Sequence, residues 1–290
     1  MENLYYSIIV LILSAAGFVF SWLLMRKDKY VLAILLLMTG GFLLRLYTAS
    51  DGYLHEWDER YHALVAKNMM SHPLIPTLYD NPALTADYKS WVGSHIWLHK
   101  QPLPLWTIAG SMSLLGTTEI AVRLPSILLT TLGIWLTFAI ASYFFNRKTA
   151  WLAAFFYAIN GLIIEITAGR VATDHIDVFF LYFVSLAVYF SILFVQKKNI
   201  VFNILAGIAI GAAILSKWLP ALIVLPVWIL LVTESKKFGL KQALFHFLLL
   251  CTVIIAVFLP WQIYIYRNFP LEAAWEAGFN IKHITEALEG

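Results

Sequence analysis

The repetition of long apolar runs along the chain is its strongest constraint on folding. An α-helix needs about 20 apolar residues to cross the ~30 Å hydrocarbon core of a bilayer. With 61% hydrophobic and 13% charged residues in 290, such runs predict an all-α, polytopic transmembrane helical bundle, since a lipid-exposed backbone must bond within its own segment. The runs near this length are Leu4 to Leu24, Tyr30 to Thr48, Val122 to Phe145, Ala150 to Thr167, Ile176 to Val195 and Ala243 to Tyr266.

Two shorter apolar runs lie between the last two of these. Val201 to Ser216 and Trp218 to Val232 flank Lys217 and Pro220. Because so little sequence separates them, they are predicted to form a tight helical hairpin with Lys217 and Trp218 at its tip. The prediction is therefore eight spans.

Short basic clusters between the runs predict which side of the membrane each connection occupies. Cytoplasmic loops are enriched in Lys and Arg, and the clusters fall on one side only if the two-proline segment Pro102 to Leu115 does not cross. We therefore interpret that segment as a juxtamembrane helix in the interface. The clusters are Arg26/Lys27/Lys29, Arg147/Lys148, Lys197/Lys198 and Lys236/Lys237/Lys241.

This threading predicts one transmembrane domain over residues 1–290 with a large external loop at 51–118, which carries juxtamembrane helices. The turn at 167–174, the Lys217 tip and the tail from Arg267 share the loop's side. The tail ends without a terminal signal, so we expect the chain to be the N-terminal part of a longer protein. A net charge of +3 without a basic stripe gives nucleic acid binding no support.

The external loop concentrates the polar residues in two stretches, HEWDERYH (His55 to His62) and WLHKQPLP (Trp97 to Pro104). Residues 55–70 are predicted to form a helix with Trp57, Tyr61, Leu64 and Val65 packing inward. Asp58 and Glu59 then stand at its start, either as a solvated acidic first turn favoured by the helix dipole or as a carboxylate base above the bilayer.

Histidines in the loop leave a metal site open. His95 and His99 are four residues apart and, with His55, His62 and the acids, could bind zinc or manganese. Spacing of this kind is common by chance, so a divalent metal is an open alternative and the metal ligands are unknown. Lys100 either snorkels to the interface or contacts a substrate.

The remaining candidate residues lie in the other predicted external segments. Asp174 and Asp177 have the spacing of a helix N-cap and an acidic third position. Arg170 suits a phosphate or a carboxylate, and Lys217 is either an interfacial lysine beside Trp218 or a substrate ligand. His283 follows an amphipathic stretch that indicates a surface helix.

Acids, an arginine and lysines on an external membrane face suit a reaction on an anionic lipid head group. Sugar transfer outside the cytoplasm typically uses a polyprenyl-phosphate carrier, since nucleotide sugars are not supplied there. Such chemistry requires one carboxylate to accept the acceptor's hydroxyl proton and fixed cations to stabilise the departing phosphate.

The order of motifs resembles a known superfamily. DE in the first external loop is followed by HKQPLPLW, EIAVRLPSILL, GRVATDHIDVFF, LSKWLPALIVLP and LPWQIYIYRNFP. This series is similar to the GT-C glycosyltransferases of the protein O-mannosyltransferase and aminoarabinose transferase superfamily. The resemblance extends over nearly the whole chain from Gly52 and implies a GT-C fold.

The resemblance also implies roles by position. Asp58 matches the family's base and Glu59 its acidic neighbour. Lys100 matches the lysine that contacts donor phosphate, Asp174 the acid of the second external loop, and Lys217 the lysine of a TKG-like motif. His283 matches the tail histidine in a register ambiguous by two residues.

Two positions depart from the family pattern. Tyr61 rather than Arg60 falls where many members carry arginine, so a phosphate role is not carried over to Arg60. His99 replaces a glutamate that is associated with metal in aminoarabinose transferases, so metal binding is lost or altered.

We therefore predict a glycosyltransferase of the inverting type in the bacterial inner membrane, with its active site on the non-cytoplasmic face. Asp58 and Glu59 are the predicted catalytic residues; the substrate-binding set is Lys100, Arg170, Asp174, Lys217 and His283. The predicted partners are a polyprenyl-phosphate-linked sugar and a lipid, glycan or protein acceptor. The alternatives are a transporter of lipid-linked sugars, which would place ionisable groups at mid-bilayer, and a non-catalytic assembly subunit.

Overall fold

The computed structural model describes the backbone of residues 2–172 and 174–289, and the side chains of residues 7–172 and 174–282. These residues form α-helices and one 3₁₀ helix. They contain no β-strand, and the only β-type pairing among them is an isolated bridge between Thr77 and Ile96. The all-α prediction is confirmed. The helices are α1 (Glu2–Arg26), α2 (Tyr30–Thr48), α3 (Asp58–Met69), α4 (Pro102–Leu115), α5 (Glu119–Phe144), α6 (Arg147–Ala158), α7 (Gly161–Thr167), α8 (His175–Lys197), α9 (Ile200–Lys217), the 3₁₀ helix Leu219–Ile223, α10 (Val224–Ser235), α11 (Leu240–Asn268) and α12 (Pro270–Glu289).

Six of the described helices are long and apolar enough to cross a bilayer: α1, α2, α5, α8, α9 and α11. Helices α6 and α7 pass the same test as a pair bent by 49°, and Leu219–Ser235 is a shorter apolar helix. Every predicted run is therefore helical. The fourth run is broken rather than continuous, and the number eight stays a prediction.

The break between α6 and α7 has a local cause. The Asn160 side chain accepts a hydrogen bond from the Ile163 amide at 3.0 Å and so caps a new helix. The Ala158 carbonyl, which has no partner within the helix, instead accepts from the guanidinium of Arg45 at 3.0 Å. Arg45 is fully buried in α2 and also donates to Thr130 at 2.9 Å. An arginine inside an apolar run thus satisfies the carbonyl that the bend exposes.

Small residues allow α9 to pack closely against α11. At Gly211 an added Cβ would lie 2.6 Å from the Cβ of Val257, and at Gly207 it would lie 2.9 Å from that of Val253. The two glycines are four residues apart on one face of α9, the spacing by which membrane helices approach closely. This contact fixes the end of α9, where Lys217 lies.

The basic connections share one end of the bundle. The Arg147 guanidinium lies 5.6 Å from the centre of the Tyr30 ring, and Lys237 donates to the Val195 carbonyl at 3.2 Å. These contacts join the α5–α6 turn to the α1–α2 turn, and the α10–α11 turn to the end of α8. The prediction that the basic clusters face one way agrees with this arrangement.

Helices α3 and α4 pack against the opposite end of the bundle. Leu105 and Ile108 of α4 are fully buried, in one cluster with Val65 and Ala66 of α3. The inward set predicted for α3 was partly wrong, since Trp57 is 72% exposed and lies before the helix.

Leu64 of α3 is also exposed, at 38%, whereas Glu59 and His62 are buried. The helix begins at Asp58 rather than at His55, and its inward polar side chains lie against residues elsewhere in the fold, with Arg123 bound to Glu59 and Asp174 2.9 Å from His62. Tyr61 and Val65 do pack inward as predicted, so hydrophobicity alone predicted half of the inward set.

Candidate functional site

Arg123 anchors the start of the external loop to the first turns of α5. The residue is fully buried, and its Nη1 donates to the carbonyls of Ala49 at 2.9 Å and Asp51 at 2.7 Å. Its Nη2 donates to the carbonyl of Tyr53 at 2.6 Å. One planar guanidinium thus binds three backbone oxygens of the loop where it leaves α2.

The same guanidinium binds Glu59 with two nitrogens. Nε lies 2.6 Å from Oε1 and Nη2 lies 3.0 Å from Oε2. His55 adds its backbone amide at 2.6 Å and Nδ1 at 2.9 Å, and His175 Nε2 lies 3.4 Å from Oε1. Burial raises the pKa of Glu59, but the hydrogen bonds from His175 and Arg123 outweigh it and lower the pKa to about 2. Glu59 is therefore a buried, ionised anchor.

The turn between α7 and α8 passes directly over this carboxylate. Gly169 has φ of +73°, and a Cβ there would collide with the Glu59 carboxylate. Glycine is the residue that accommodates both the positive φ and the close approach of the carboxylate. The TAGRVATD segment is thereby held against the α3 carboxylate.

Asp174 lies on the far side of the same buried network. It is fully buried, with Oδ1 2.9 Å from His62 Nδ1 and Oδ2 4.0 Å from His175 Nε2. Burial raises the pKa of Asp174, but the interactions with the neighbouring His62 and His175 outweigh burial and lower it. Asp174 is the N-cap residue of α8 and Asp177 lies in its first turn, as their spacing predicted, but the Asp174 side chain makes no capping hydrogen bond.

Arg170 closes the network at its solvent edge. Nη2 donates to Asp51 Oδ2 at 2.9 Å and to the Thr48 carbonyl at 2.9 Å, and Asp51 also lies 3.2 Å from His55 Nε2. The Arg170 side chain is 40% exposed. Its position ties the α7–α8 turn to the end of α2.

Asp58, Lys100 and Lys217 do line one cavity, of about 190 Å³, next to this network. Asp58 begins α3, Lys100 lies two residues before α4, and Lys217 ends α9. Lys100 Nζ lies 3.2 Å from Asp58 Oδ2 and 5.0 Å from the centre of the Trp91 ring. Three of the seven predicted site residues therefore meet, although they are up to 159 positions apart, the separation of 58 and 217.

Asp177 is a fourth charged group of the cavity wall and binds Lys217 in an ion pair. Its side chain is 20% exposed and that of Lys217 is 45% exposed. The spacing of Asp177 from Asp174 indicated a role in capping. Its position one turn into α8, facing the end of a neighbouring helix, was not readable from spacing alone.

His99 and Glu276 form the third close side-chain pair at the cavity. His99 Nδ1 lies 2.8 Å from Glu276 Oε2, and the imidazole stacks on Trp91 with ring centres 4.6 Å apart. Glu276 comes from α12, and sequence analysis did not single it out. The pair joins the external loop to the tail helix across the cavity.

The histidines do not converge as a metal site in the described part of the chain. His95 contacts Tyr79, at 6.2 Å between ring centres, while His55 and His62 lie in the buried network. No group of three or more His, Cys, Asp or Glu side chains among residues 7–172 and 174–282 is placed to hold an ion. His99 and Glu276 alone would supply two donors, and the metal stays a prediction.

Among the described residues, the other predicted site residues do not line the cavity. Glu59 and Asp174 lie in the buried network, and Arg170 lies at its solvent edge. The side chain of His283 falls outside the described residues. Arg123 was missed, although an arginine in an apolar run at the predicted external end opposes the charge bias of membrane proteins and could have indicated it.

Crystal structures of ArnT from Cupriavidus metallidurans have the same fold. The apo structure has a TM-score of 0.59 at 20% sequence identity and covers 84% of this chain and 43% of that chain. The structure bound to undecaprenyl phosphate has a TM-score of 0.59 at 20% identity and covers 82% of this chain and 42% of that one. The helical bundle, with a polar cavity at one end, is that of a polytopic membrane protein of the GT-C type.

The sequence model described as dolichyl-phosphate-mannose-protein mannosyltransferase matches residues 99–264. This is more than half of the chain, which therefore belongs to that family and is an integral membrane protein. The match includes Lys100, Arg170, Asp174 and Lys217, whereas Asp58 and Glu59 precede it. The predicted GT-C resemblance is confirmed.

A curated relative has a similar sequence over part of its length. It is the undecaprenyl phosphate-alpha-4-amino-4-deoxy-L-arabinose arabinosyl transferase of Pseudomonas savastanoi pv. phaseolicola (strain 1448A / Race 6), 25% identical over 210 residues. The alignment covers 67% of this chain and 37% of the relative. The chain thus spans less than half of the length of the relatives it matches here.

Proposed function

We propose that the chain forms the catalytic end of a membrane glycosyltransferase that moves a sugar from a polyprenyl-phosphate donor to an acceptor hydroxyl. The observation that carries this proposal is the meeting of Asp58, Lys100 and Lys217 in one cavity. Membership of a mannosyltransferase family and the likeness to a transferase of undecaprenyl-phosphate-linked sugar support it. The acceptor is a lipid, a glycan or a protein.

Asp58 is the proposed general base. Transfer breaks the bond between the sugar's anomeric carbon and the phosphate oxygen and forms a bond from that carbon to the acceptor oxygen. Asp58 takes the acceptor's hydroxyl proton, and the bonding electrons leave with the polyprenyl phosphate. Direct attack of this kind inverts the anomeric centre, so the proposed reaction is inverting.

Lys100 and Lys217 are the proposed ligands of the donor phosphate. Both lysines bind carboxylates in the structure, Lys100 to Asp58 and Lys217 to Asp177. A phosphate entering the cavity would compete for the same ammonium groups, and Lys100 would leave Asp58 as it binds the donor. Cations held at this point would also stabilise the charge that develops on the leaving phosphate.

The proposed location is the non-cytoplasmic face of a bacterial inner membrane. The cavity lies at the end of the bundle opposite the basic connections, and basic connections favour the cytoplasm. This end position also favours an enzyme over a transporter, whose ionisable site is expected near mid-bilayer.

The test compares Asp58→Asn with the unaltered protein for transfer from a synthetic polyprenyl-phosphate sugar in proteoliposomes. General base catalysis typically contributes a factor of about 10² to 10⁴, so we expect at least a hundredfold loss of turnover. Glu56→Gln is the matched control, because Glu56 is an exposed acid two residues away that does not line the cavity. Undiminished turnover in Asp58→Asn would remove Asp58 from the mechanism.

A further inference from the structure

A second cavity, of about 390 Å³, opens between α2, α5 and α8 at the basic end of the bundle. Its walls include Val31 and Leu35 of α2, Trp135 and Phe138 of α5, and Tyr189 of α8. Val31 is 78% exposed and Leu35 is 54% exposed, so this groove opens sideways toward the surrounding hydrocarbon. Its volume falls in the range of about 300–1,000 Å³ that is common for small-molecule sites.

A guanidinium stands at the mouth of the groove. Arg147 begins α6, lies over the face of Tyr30 and lines the groove with it. Within the described part of the chain no carboxylate lies within 4.0 Å of a guanidinium nitrogen of Arg147. The acid in the nearby turn, Asp28, instead accepts a hydrogen bond from the Tyr30 hydroxyl at 3.0 Å. The arginine is therefore available to an anion from outside the chain.

A hydroxyl lies deeper in the same groove. Ser142 lies in the last turn of α5 and lines the groove, and its Oγ is buried without a hydrogen-bond partner among the described residues. Burying a hydroxyl without a partner is unfavourable. An ester or hydroxyl oxygen of a ligand in the groove would supply that partner.

The charge around the mouth favours an anion. The two adjacent turns carry Arg26, Lys27, Lys29, Arg147 and Lys148 against the single acid Asp28. Basic residues at a membrane surface together attract anionic lipids to it, but of these five cations only Arg147 lines the groove. An apolar groove alone would accept any acyl chain, whereas a free guanidinium at its mouth selects the head group.

We propose that this groove binds one anionic glycerophospholipid, with its phosphate against Arg147 and one acyl chain along α2 and α5. The site is separate from the sugar-transfer cavity and does not depend on the proposed function. Occupancy would join α2, α5 and α8 at the end of the bundle opposite the cavity.

Native mass spectrometry of the purified protein would test the site, with phosphatidylglycerol and phosphatidylcholine of the same acyl chains as probes. We expect one phosphatidylglycerol to be retained at collision energies that remove phosphatidylcholine. Arg147→Gln should weaken retention of phosphatidylglycerol about fivefold, as expected for one charge. Lys148→Gln is the matched control, since Lys148 is the neighbouring exposed cation and does not line the groove.

A second variant tests the groove without changing charge. Ala139 lines the groove, and Ala139→Phe should fill it and abolish retention of the lipid while the lipid-free melting temperature stays close to that of the unaltered protein. Equal retention of the two lipids, an equal loss in Lys148→Gln, or no lipid retained by the unaltered protein would overturn the proposal. The last result would mean that protein rather than lipid covers this face.

Discussion

Removing the buried guanidinium of Arg123 should destabilise the external loop more than any change to the cavity. Arg123→Met keeps an unbranched apolar side chain of similar length but removes the partner of Glu59 and the donor to three carbonyls. The substitution leaves a carboxylate with 1% exposure without its main counter-charge.

The size of the effect follows from these contacts. Breaking a buried ion pair by removing one partner costs about 3–5 kcal/mol, since the other charge stays buried. Each buried carbonyl that loses its donor costs about 1–3 kcal/mol unless water reaches it. The loop can move to admit water, so we take the ion pair as the lower bound and expect a loss of at least about 3 kcal/mol.

The assay is equilibrium unfolding in mixed detergent micelles, followed by tryptophan fluorescence. Arg123→Lys is the first control, because it keeps the charge and loses the planar fork, and should fall between Arg123→Met and the unaltered protein. The second control is Arg123→Met combined with Glu59→Leu, which removes both charges. This double variant should recover most of the lost free energy of unfolding, since replacing a buried ion pair by apolar residues often leaves stability unchanged.

Two results would refute this reasoning. A loss below about 1 kcal/mol for Arg123→Met, the scale of a solvent-exposed pair, would mean that Glu59 is not buried as described. A double variant no more stable than Arg123→Met would mean that the carbonyl contacts, and not the buried carboxylate, dominate the free energy of unfolding.

Two further predictions concern the pH dependence of stability and the ion pair between Lys217 and Asp177. The free energy of unfolding should fall as the pH drops from about 4.5 toward 2, because the pKa of Glu59 is about 2 in the folded state against 4.5 in the unfolded state. Protonation in this range favours the unfolded state by up to about 3 kcal/mol. The free energy of unfolding, measured across this acid range, should fall less steeply in Glu59→Gln, and an unchanged slope would contradict the assignment. In steady-state transfer assays, Asp177→Asn should lower the KM for the donor about two- to fivefold with kcat nearly unchanged, because the donor phosphate no longer competes with a partly exposed ion pair for Lys217. Lys217→Met should raise this KM. A raised KM in both variants would show that the phosphate does not displace Asp177.

Much of the architecture was predictable because hydrophobic runs and basic clusters act over whole helices. Each predicted run is helical, the basic turns meet at one end, and Asp58, Lys100 and Lys217 meet at the other. The 49° bend between α6 and α7 was not predicted. Besides the local Asn160 cap, the bend exposes the Ala158 carbonyl, which Arg45 satisfies from 113 positions away in the sequence, and spacing within one run carries no information on that contact.

The sequence pattern also did not show that the adjacent acids Asp58 and Glu59 occupy different environments. Asp58 and Glu59 have the same chemistry, and which one faces the cavity depends on where α3 begins and on Arg123 in a different helix. Asp174 illustrates the same limit. Its spacing to Asp177 indicated capping, but the buried His62 attracts the Asp174 carboxylate instead.

The buried network and the cavity are mechanically coupled through α3. Consecutive residues of an α-helix point about 100° apart, so fixing Glu59 against Arg123 and His62 against Asp174 sets the rotation of the helix about its axis. That rotation places the Asp58 carboxylate in the cavity, 3.2 Å from Lys100. We therefore propose that Glu59 and Asp174 are positioning residues for Asp58, the proposed base. Changing either should reduce transfer through the geometry of Asp58 while leaving the proton-accepting carboxylate itself in place.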